Sequence, residues 1–307
     1  MSTNNPPSPT WPPSPIWRSL LYVPANNQRF ITKAHTRGAD AIILDLEDAV
    51  PQAERPAART ALANTVETVG QSGADVTVRI NRPLREMIAD VDASVIPGIR
   101  ALFVAKTENP GHLRLVDELV TEIERERDLP VGGIGFSVMI ESPGALRHAA
   151  AIASSSPRVL SMSLGGEDFA MEMQAPPDPE TLELPKLLCL MAAREAGVMP
   201  LGFLGTVADY TDLESMRAVL ARSRKFGFEG ASCIHPAMVP LLNEAFAPTP
   251  QEVDWAQRVV REYAAAQADG KGAITVDGKM VDVPVAVRAE RVLARHKAIA
   301  ERAEPKS

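Results

Sequence analysis

Val138-Met139-Ile140-Glu141 and, further along, Leu160-Ser161-Met162-Ser163-Leu164-Gly165-Gly166-Glu167-Asp168 are apolar runs of strand length that each close in a carboxylate. Taken singly, an acid in that place reads equally well as the cap of a following helix. Their neighbours change the reading. Ala41-Ile42-Ile43-Leu44-Asp45-Leu46-Glu47-Asp48 is a third apolar run closing in acids, whereas Val76-Thr77-Val78-Arg79-Ile80-Asn81 and Leu102-Phe103-Val104-Ala105-Lys106 supply a cation at the same relative place. In a parallel barrel the C-terminal ends of all strands share one rim, so these charged ends would converge on one mouth. Carboxylate oxygens suit a hard divalent cation such as Mg²⁺ or Mn²⁺. Mg²⁺ usually takes only one or two protein carboxylates and leaves its other positions to water and substrate.

Outward from these runs the pattern alternates. Strand-like segments recur at 20–24, 41–46, 76–80, 101–105, 134–140, 159–164, 198–204 and 231–234. Helical segments fall between them at 29–37, 54–69, 84–95, 111–127, 145–152, 186–195 and 213–225, two of them stopped by Gly38 and Gly70. The 111–127 stretch carries Leu113, Val116, Leu119, Val120 and Ile123 on one face. Short parallel strands need helical crossovers and close at eight, so the expected fold is α/β, a (β/α)8 TIM barrel. The rival is an open doubly wound sheet, for which a GxGxxG after the first strand is missing. A chain of 307 residues holds a barrel of about 250 residues with an appendage. The expected division is a Pro-rich N-terminal arm at 1–17, loosely draped, a barrel at 18–247, and an extension at 248–307. In the extension, a linker at 248–250 leads to a helix at 251–267. Asp277-Gly278 then joins two short β-type runs as a hairpin, and a last helix covers 287–300.

Composition excludes several classes. The net charge is −7 and the Lys and Arg residues are scattered, which leaves no basic stripe for nucleic acid. No run approaches the roughly 18 apolar residues of a membrane span. The first seventeen residues hold six prolines and two tryptophans without the basic-then-apolar pattern of a signal peptide. Cys189 and Cys233 fit no zinc or CxxC spacing and read as reduced packing residues of a cytoplasmic protein. His235 ends the eighth strand but is assigned no catalytic part, and Ser142 reads as a helix N-cap behind Glu141.

Together, Arg18-Ser19-Leu20-Leu21-Tyr22-Val23-Pro24, Leu44-Asp45-Leu46-Glu47-Asp48, Val78-Arg79-Ile80-Asn81, Ile140-Glu141-Ser142, Gly165-Gly166-Glu167-Asp168, Ile234-His235-Pro236 and Asp277-Gly278-Lys279-Met280-Val281-Asp282 carry a resemblance. In this order they resemble the citrate lyase β-subunit-like (CitE-like) branch of the HpcH/HpaI aldolase superfamily, which includes malyl-CoA and citramalyl-CoA lyases. The resemblance implies a Mg²⁺-dependent lyase that cleaves or forms a carbon–carbon bond between an acyl-CoA and a 2-oxo acid. By the same resemblance Glu141 and Asp168 hold the metal, and Arg79 holds the oxo acid. Asp45, Glu47 and Asp48 form a second acidic cluster that orients Arg79 and water. Arg18, Arg29 and Lys33, with Gly166, contact CoA or substrate. Asp282 acts as acid/base at the α-carbon, on a tail that reaches over a neighbouring subunit in a homo-oligomer, a trimer or a pair of trimers. The alternatives are a citrate lyase β subunit acting on an acyl carrier protein thioester, and a non-catalytic barrel that binds a CoA ester.

Overall fold

The strands form where β-branched and large apolar residues cluster, and each is ended by a turn or a charged residue. The computed structural model describes residues 15–206 and 212–303. It divides into two compact units, Met1–Asn243 and Glu244–Ser307. The first holds eight strands: β1 (Ser19–Pro24), β2 (Ala41–Asp45), β3 (Asp75–Ile80), β4 (Ile99–Val104), β5 (Gly135–Ile140), β6 (Val159–Leu164), β7 (Met199–Pro200) and β8 (Ala231–Cys233). All pairings are parallel, in the order β7-β6-β5-β4-β3-β2-β1-β8. The two edge strands meet through a parallel bridge between Leu201 and Gly230, with Gly202 N–H donating to the Gly230 carbonyl at 2.8 Å. This is an α/β fold with eight parallel strands of the TIM-barrel-like kind.

Side-chain alternation along the strands builds the interior. Leu20, Ala41, Ile43, Ala101, Phe103, Met139 and Leu201 share one buried cluster. Asp45 continues the parity of Ala41 and Ile43, and Glu141 that of Met139. Asp45, Arg79 and Phe103 stand in register across β2, β3 and β4. The same two-residue period that builds the core therefore turns these charged groups to the cluster's side of the sheet.

Three expectations are corrected. Trp17, assigned to a loose arm, is fully buried in that cluster, with its Nε1–H donating to Asp75 Oδ2 at 2.7 Å. Residues 1–14 of the arm lie outside the described residues. The seventh strand is far shorter than 198–204: it spans Met199–Pro200, Leu201 adds one more N–H to the Met162 carbonyl at 2.9 Å, and Gly202 then leaves the extended conformation at φ +138°. The helix expected at 186–195 begins at Pro179 and spans Pro179–Glu195. Asp178 caps it by accepting from Thr181 N–H at 2.9 Å, Pro179 opens it, and Pro185 is carried inside at the loss of one backbone bond. Burial of Trp17 leads to a testable expectation: Trp17→Ala should destabilise the first unit by about 3–5 kcal/mol in a denaturant titration.

In the second unit the Pro250–Ala268 helix starts at Thr249 through a capping box with Glu252, so the expected linker is in part a helix cap. β9 (Ile274–Val276) and β10 (Lys279–Val281) pair antiparallel around Asp277 and Gly278, both at positive φ as a tight hairpin turn requires. The Val283–Ala303 helix follows. Val276, Val281, Ala256, Val259, Tyr263 and Ala289 form the core of this unit. No helix among the described residues is long and apolar enough to cross a membrane.

Candidate active site

The rim brings the strand-end charges together. Arg79 donates from Nε to Asp45 Oδ1 at 2.8 Å and from Nη2 to Asp45 Oδ2 at 2.6 Å, and its Nη1 lies 3.0 Å from Glu47 and 3.1 Å from Asp48. The guanidinium carbon stands 5.0 Å from the centre of the Tyr22 ring. Burial lifts the Tyr22 hydroxyl well above its ordinary range, with Arg79 opposing. Lys106 Nζ donates to Glu47 at 2.7 Å and lies 3.6 Å from Asp168 and 3.8 Å from Asp48. Burial raises Glu47, while Arg79 and Lys106 pull it back. Among the described residues its Oε2 finds no hydrogen-bond partner and is held by the charge of Arg79, 3.0 Å away.

Glu141, the residue after β5, is buried and accepts from the backbone N–H of Lys106. Lys106 adopts φ +48° there, an uncommon backbone conformation for a residue with a side chain. Burial pushes Glu141 up to about 7. Gly165 faces Glu141 across the β5–β6 pairing, and a Cβ at this glycine would lie 2.5 Å from Glu141 Oε1. The carboxylate therefore occupies space that only glycine leaves open. Asp168 sits in the first turn of the Gly166–Glu172 helix, half-buried. Tyr22, Asp45, Asp48, Arg79, Glu141 and Asp168 line a cavity of about 720 Å³ whose wall also carries Leu164, Leu182, Leu201, Phe203 and Phe228.

A sequence model of the HpcH/HpaI aldolase/citrate lyase family matches residues 18–236. The chain belongs to this family. It is 33% identical over 281 residues to the citrate lyase subunit beta of Leuconostoc mesenteroides subsp. cremoris, covering 90% of this chain and 92% of that protein. It is 35% identical over 285 residues to a (3S)-malyl-CoA thioesterase of Cereibacter sphaeroides, covering 92% and 96%. Among solved structures, CitE from Mycobacterium tuberculosis in complex with magnesium, acetoacetate and coenzyme A aligns with a TM-score of 0.70 at 27% identity, covering 91% of this chain and 97% of that one.

Within this HpcH/HpaI-family fold the rim gathers Asp45, Glu47, Asp48, Arg79, Glu141 and Asp168, and Gly166 lines the cavity. Arg18 is elsewhere. It precedes β1, at the strand end opposite the rim, and its fork grips buried Asp40 at 2.8 Å through both Nε and Nη2. Lys33 is exposed on the Gln28–Ala34 helix and lines the cavity with Phe30 and Arg37, whereas Arg29 is exposed but outside the lining. Asp282 lies in the second unit, where it caps the Val283–Ala303 helix by accepting from Val285 N–H at 3.4 Å. Ser142 caps its helix as expected, accepting from Ala145 N–H at 3.1 Å. Cys189 and Cys233 are free and buried, both thiols pushed up to about 12 by burial.

Sequence reasoning counted Lys106 among the strand-end cations without giving it a role, and gave none to Gly165, Tyr22 or Lys186. Lys106 ends an apolar strand as Arg79 does, and that was its signal. Lys186 recurs with Leu182, Cys189, Leu190 and Ala193 at helical spacing, which marks it as the one charged residue on a buried face. The tight approach at Gly165 carries a consequence of its own. Gly165→Ala should displace the Glu141 carboxylate, weaken divalent-cation binding about tenfold or more, and lower the melting temperature through the clash with the buried Glu141 side chain, although the φ of −80° there suits any residue. Calorimetric cation titration beside a thermal melt checks both halves.

Proposed function

We propose that this chain is a Mg²⁺-dependent carbon–carbon lyase that cleaves, or forms, a β-hydroxyacyl-CoA such as malyl-CoA or citramalyl-CoA, with an acyl-CoA and a 2-oxo acid as the other partners. The observation that carries the reading is the pair of carboxylates, Glu141 and Asp168, lining one cavity with Arg79, with Lys106 behind them 3.6 Å from Asp168. The donor set fits the metal. Glu141 is a buried carboxylate whose proton affinity is raised first by burial and then by the neighbouring Glu47 and Asp168, with Lys106 opposing. No cluster of three or more Asp, Glu, His or Cys able to hold a metal occurs among the described residues. Two oxygen ligands completed by water and substrate suit Mg²⁺, with Mn²⁺ as the alternative, and do not suit Zn²⁺. Bound there, the cation would supply Lewis acidity toward the oxygen that gains charge as the bond breaks.

The protein's own groups account for the remaining steps. In cleavage the β-hydroxyl proton passes to solvent water, the freed O–H electron pair forms the carbonyl of the oxo acid as the Cα–Cβ bond breaks, and the electron pair of that bond enters the thioester enolate, which takes a proton at the α-carbon. Arg79 has Nε and one N–H of Nη2 committed to Asp45 and donates from Nη1 to Asp48, so substrate oxygen meets it through the remaining N–H groups of its two terminal nitrogens. Asp45 and Glu47 thereby act as positioning groups for the two cations. Exposed Lys33 and Arg29 are assigned to the phosphates of CoA. Asp282 is assigned the proton transfer at the α-carbon, from the tail of a neighbouring copy in a homo-oligomer, a trimer or hexamer. The exposed Met280 (68%) and Val283 beside it are apolar groups such an assembly would cover. If so, Asp282→Ala and Glu141→Gln should each be inactive alone, and mixed oligomers of the two should regain activity. No recovery in mixtures shown to exchange subunits would remove Asp282 from the shared site. The cytoplasm is the proposed location.

Two relatives favour competing readings: the citrate lyase subunit beta points to a citryl thioester, and the malyl-CoA thioesterase to hydrolysis. Incubation with malyl-CoA, citramalyl-CoA, methylmalyl-CoA and citryl-CoA, with and without Mg²⁺, separates them. A lyase releases 2-oxo acid without free thiol, whereas a thioesterase releases CoA thiol without oxo acid. Release of neither from any ester would leave a CoA-ester-binding barrel and overturn the proposal.

A further inference from the structure

Tyr22 stands on β1 in register with Ile43 and packs against the buried cluster that holds Leu20, Ile43, Phe103 and Met139. Its hydroxyl lies 3.8 Å from Met139 Sδ. Met139 belongs to β5, which is separated from β1 by β2, β3 and β4 on one side and by β8, β7 and β6 on the other. The two residues therefore face each other from opposite walls, and their contact sets the phenol oxygen near the barrel axis. Ile43 comes two residues before Asp45, so Tyr22 sits one layer deeper than the paired Asp45 and Arg79. The Arg79 guanidinium lies over its ring, 5.0 Å from the centre. Tyr22, Arg79 and Glu141 line the same cavity.

Packing and the contact with the guanidinium need only the ring, and a phenylalanine would supply both. What that leaves is the hydroxyl. A thioether is a weak acceptor, so the contact with Met139 is a poor return for taking an O–H out of water. The phenol also keeps its proton, because burial lifts it well above its ordinary range, with Arg79 opposing and Asp45, Glu141 and Glu47 pushing the same way as burial. A neutral donor fixed near the axis, beside a permanent cation, suits an oxygen whose negative charge grows and fades during a reaction. We propose that the Tyr22 hydroxyl is a catalytic donor that shares with Arg79 the reacting oxygen of the 2-oxo-acid half, which is the β-hydroxyl oxygen of the ester and the oxo oxygen of the product. This rests on the lyase reading above. Tyr22 transfers no proton. It donates a hydrogen bond to that oxygen in the interval between loss of the β-hydroxyl proton and cleavage of the Cα–Cβ bond, when the charge is greatest.

The test uses pyruvate and oxalate, each titrated calorimetrically into the full chain with saturating Mg²⁺. Oxalate carries negative charge where pyruvate has its oxo oxygen, so it stands in for the reacting oxygen in its charged form. Tyr22→Phe keeps the ring and removes the donor. It should weaken oxalate about tenfold or more and pyruvate by a smaller factor, because a hydrogen bond to a charged oxygen is the stronger one. Mg²⁺ titrated alone should bind as it does to the wild type, and kcat for whichever ester the wild type cleaves should fall along with oxalate affinity. The variant should melt no lower than the wild type, since a buried hydroxyl leaves and the packed ring stays. Unchanged affinity for both acids overturns the assignment, and so does an equal loss for both, which marks a shift of the whole pocket. A large fall in melting temperature also overturns it, by making the hydroxyl part of the structure. Each of these outcomes leaves the lyase reading intact. Failure of the wild type to bind either acid removes that reading and this inference with it.

Discussion

Replacing Glu141 by Gln, or Asp168 by Asn, is expected to abolish Mg²⁺ binding and lyase turnover while the chain stays folded. Each change keeps size and removes one negative charge from the proposed two-carboxylate donor set, and Mg²⁺ binds amide oxygens far less readily than carboxylates. The fold survives because neither side chain belongs to the apolar cluster. The Glu141 variant also has a signature that needs no metal. Its folded value of about 7 stands above the ordinary 4.5, so between those values the folded state holds a proton that the unfolded chain has released. Metal-free stability therefore falls as pH rises through that window, by about 3 kcal/mol at most from this group. Glu141→Gln removes that dependence and should melt higher than the wild type at pH 8 but not at pH 4. Equal pH profiles would show that the carboxylate is not buried as described, and unchanged turnover at limiting Mg²⁺ would remove it from the metal site.

The strand-end acids and Arg79 were legible because two simple periodicities place them. Apolar runs set the strands, and the two-residue alternation that buries Ile43 and Met139 sends Asp45 and Glu141 to the same side. What escaped depends on contacts between distant segments. Gly165 looks like an ordinary turn glycine until the Glu141 carboxylate from the adjacent strand is seen to fill its missing Cβ. Trp17 follows a run of prolines, and only the Asp75 carboxylate and the ring of Phe103, 6.5 Å away, explain its burial. Arg18 is a different case. It precedes β1, so chain direction alone sets it at the opposite end of the barrel, and its fork on Asp40 follows from that. The charge of a residue says less than the end of the strand on which it stands. Lys186 was hidden by Pro185, which reads as a helix breaker and broke the apolar spacing that begins at Leu182.

Arg79→Lys and Arg79→Met should separate two roles of this guanidinium. Asp45, 2% exposed, depends on the Nε–Nη2 fork at 2.8 and 2.6 Å, whereas Asp48 is 57% exposed and is screened by water whatever faces it. Lysine keeps the charge but cannot span both Asp45 oxygens and still present an N–H to substrate. The kcat/KM of Arg79→Lys should therefore fall by about 1–3 kcal/mol in transition-state terms, with a smaller loss of stability. Methionine leaves Asp45 buried without its cation and Glu47 with Lys106 alone, so Arg79→Met should lose about 3–5 kcal/mol of stability as well as activity. Adding Asp45→Asn should return part of that stability, since the penalty comes from the orphaned carboxylate, but it should not return turnover. Wild-type kcat/KM in Arg79→Lys would show that the guanidinium serves the acidic cluster only and never meets the reacting oxygen. Recovery of turnover in the Asp45→Asn/Arg79→Met double variant would point the same way, because a group needed only to neutralise Asp45 becomes dispensable once Asp45 is neutral.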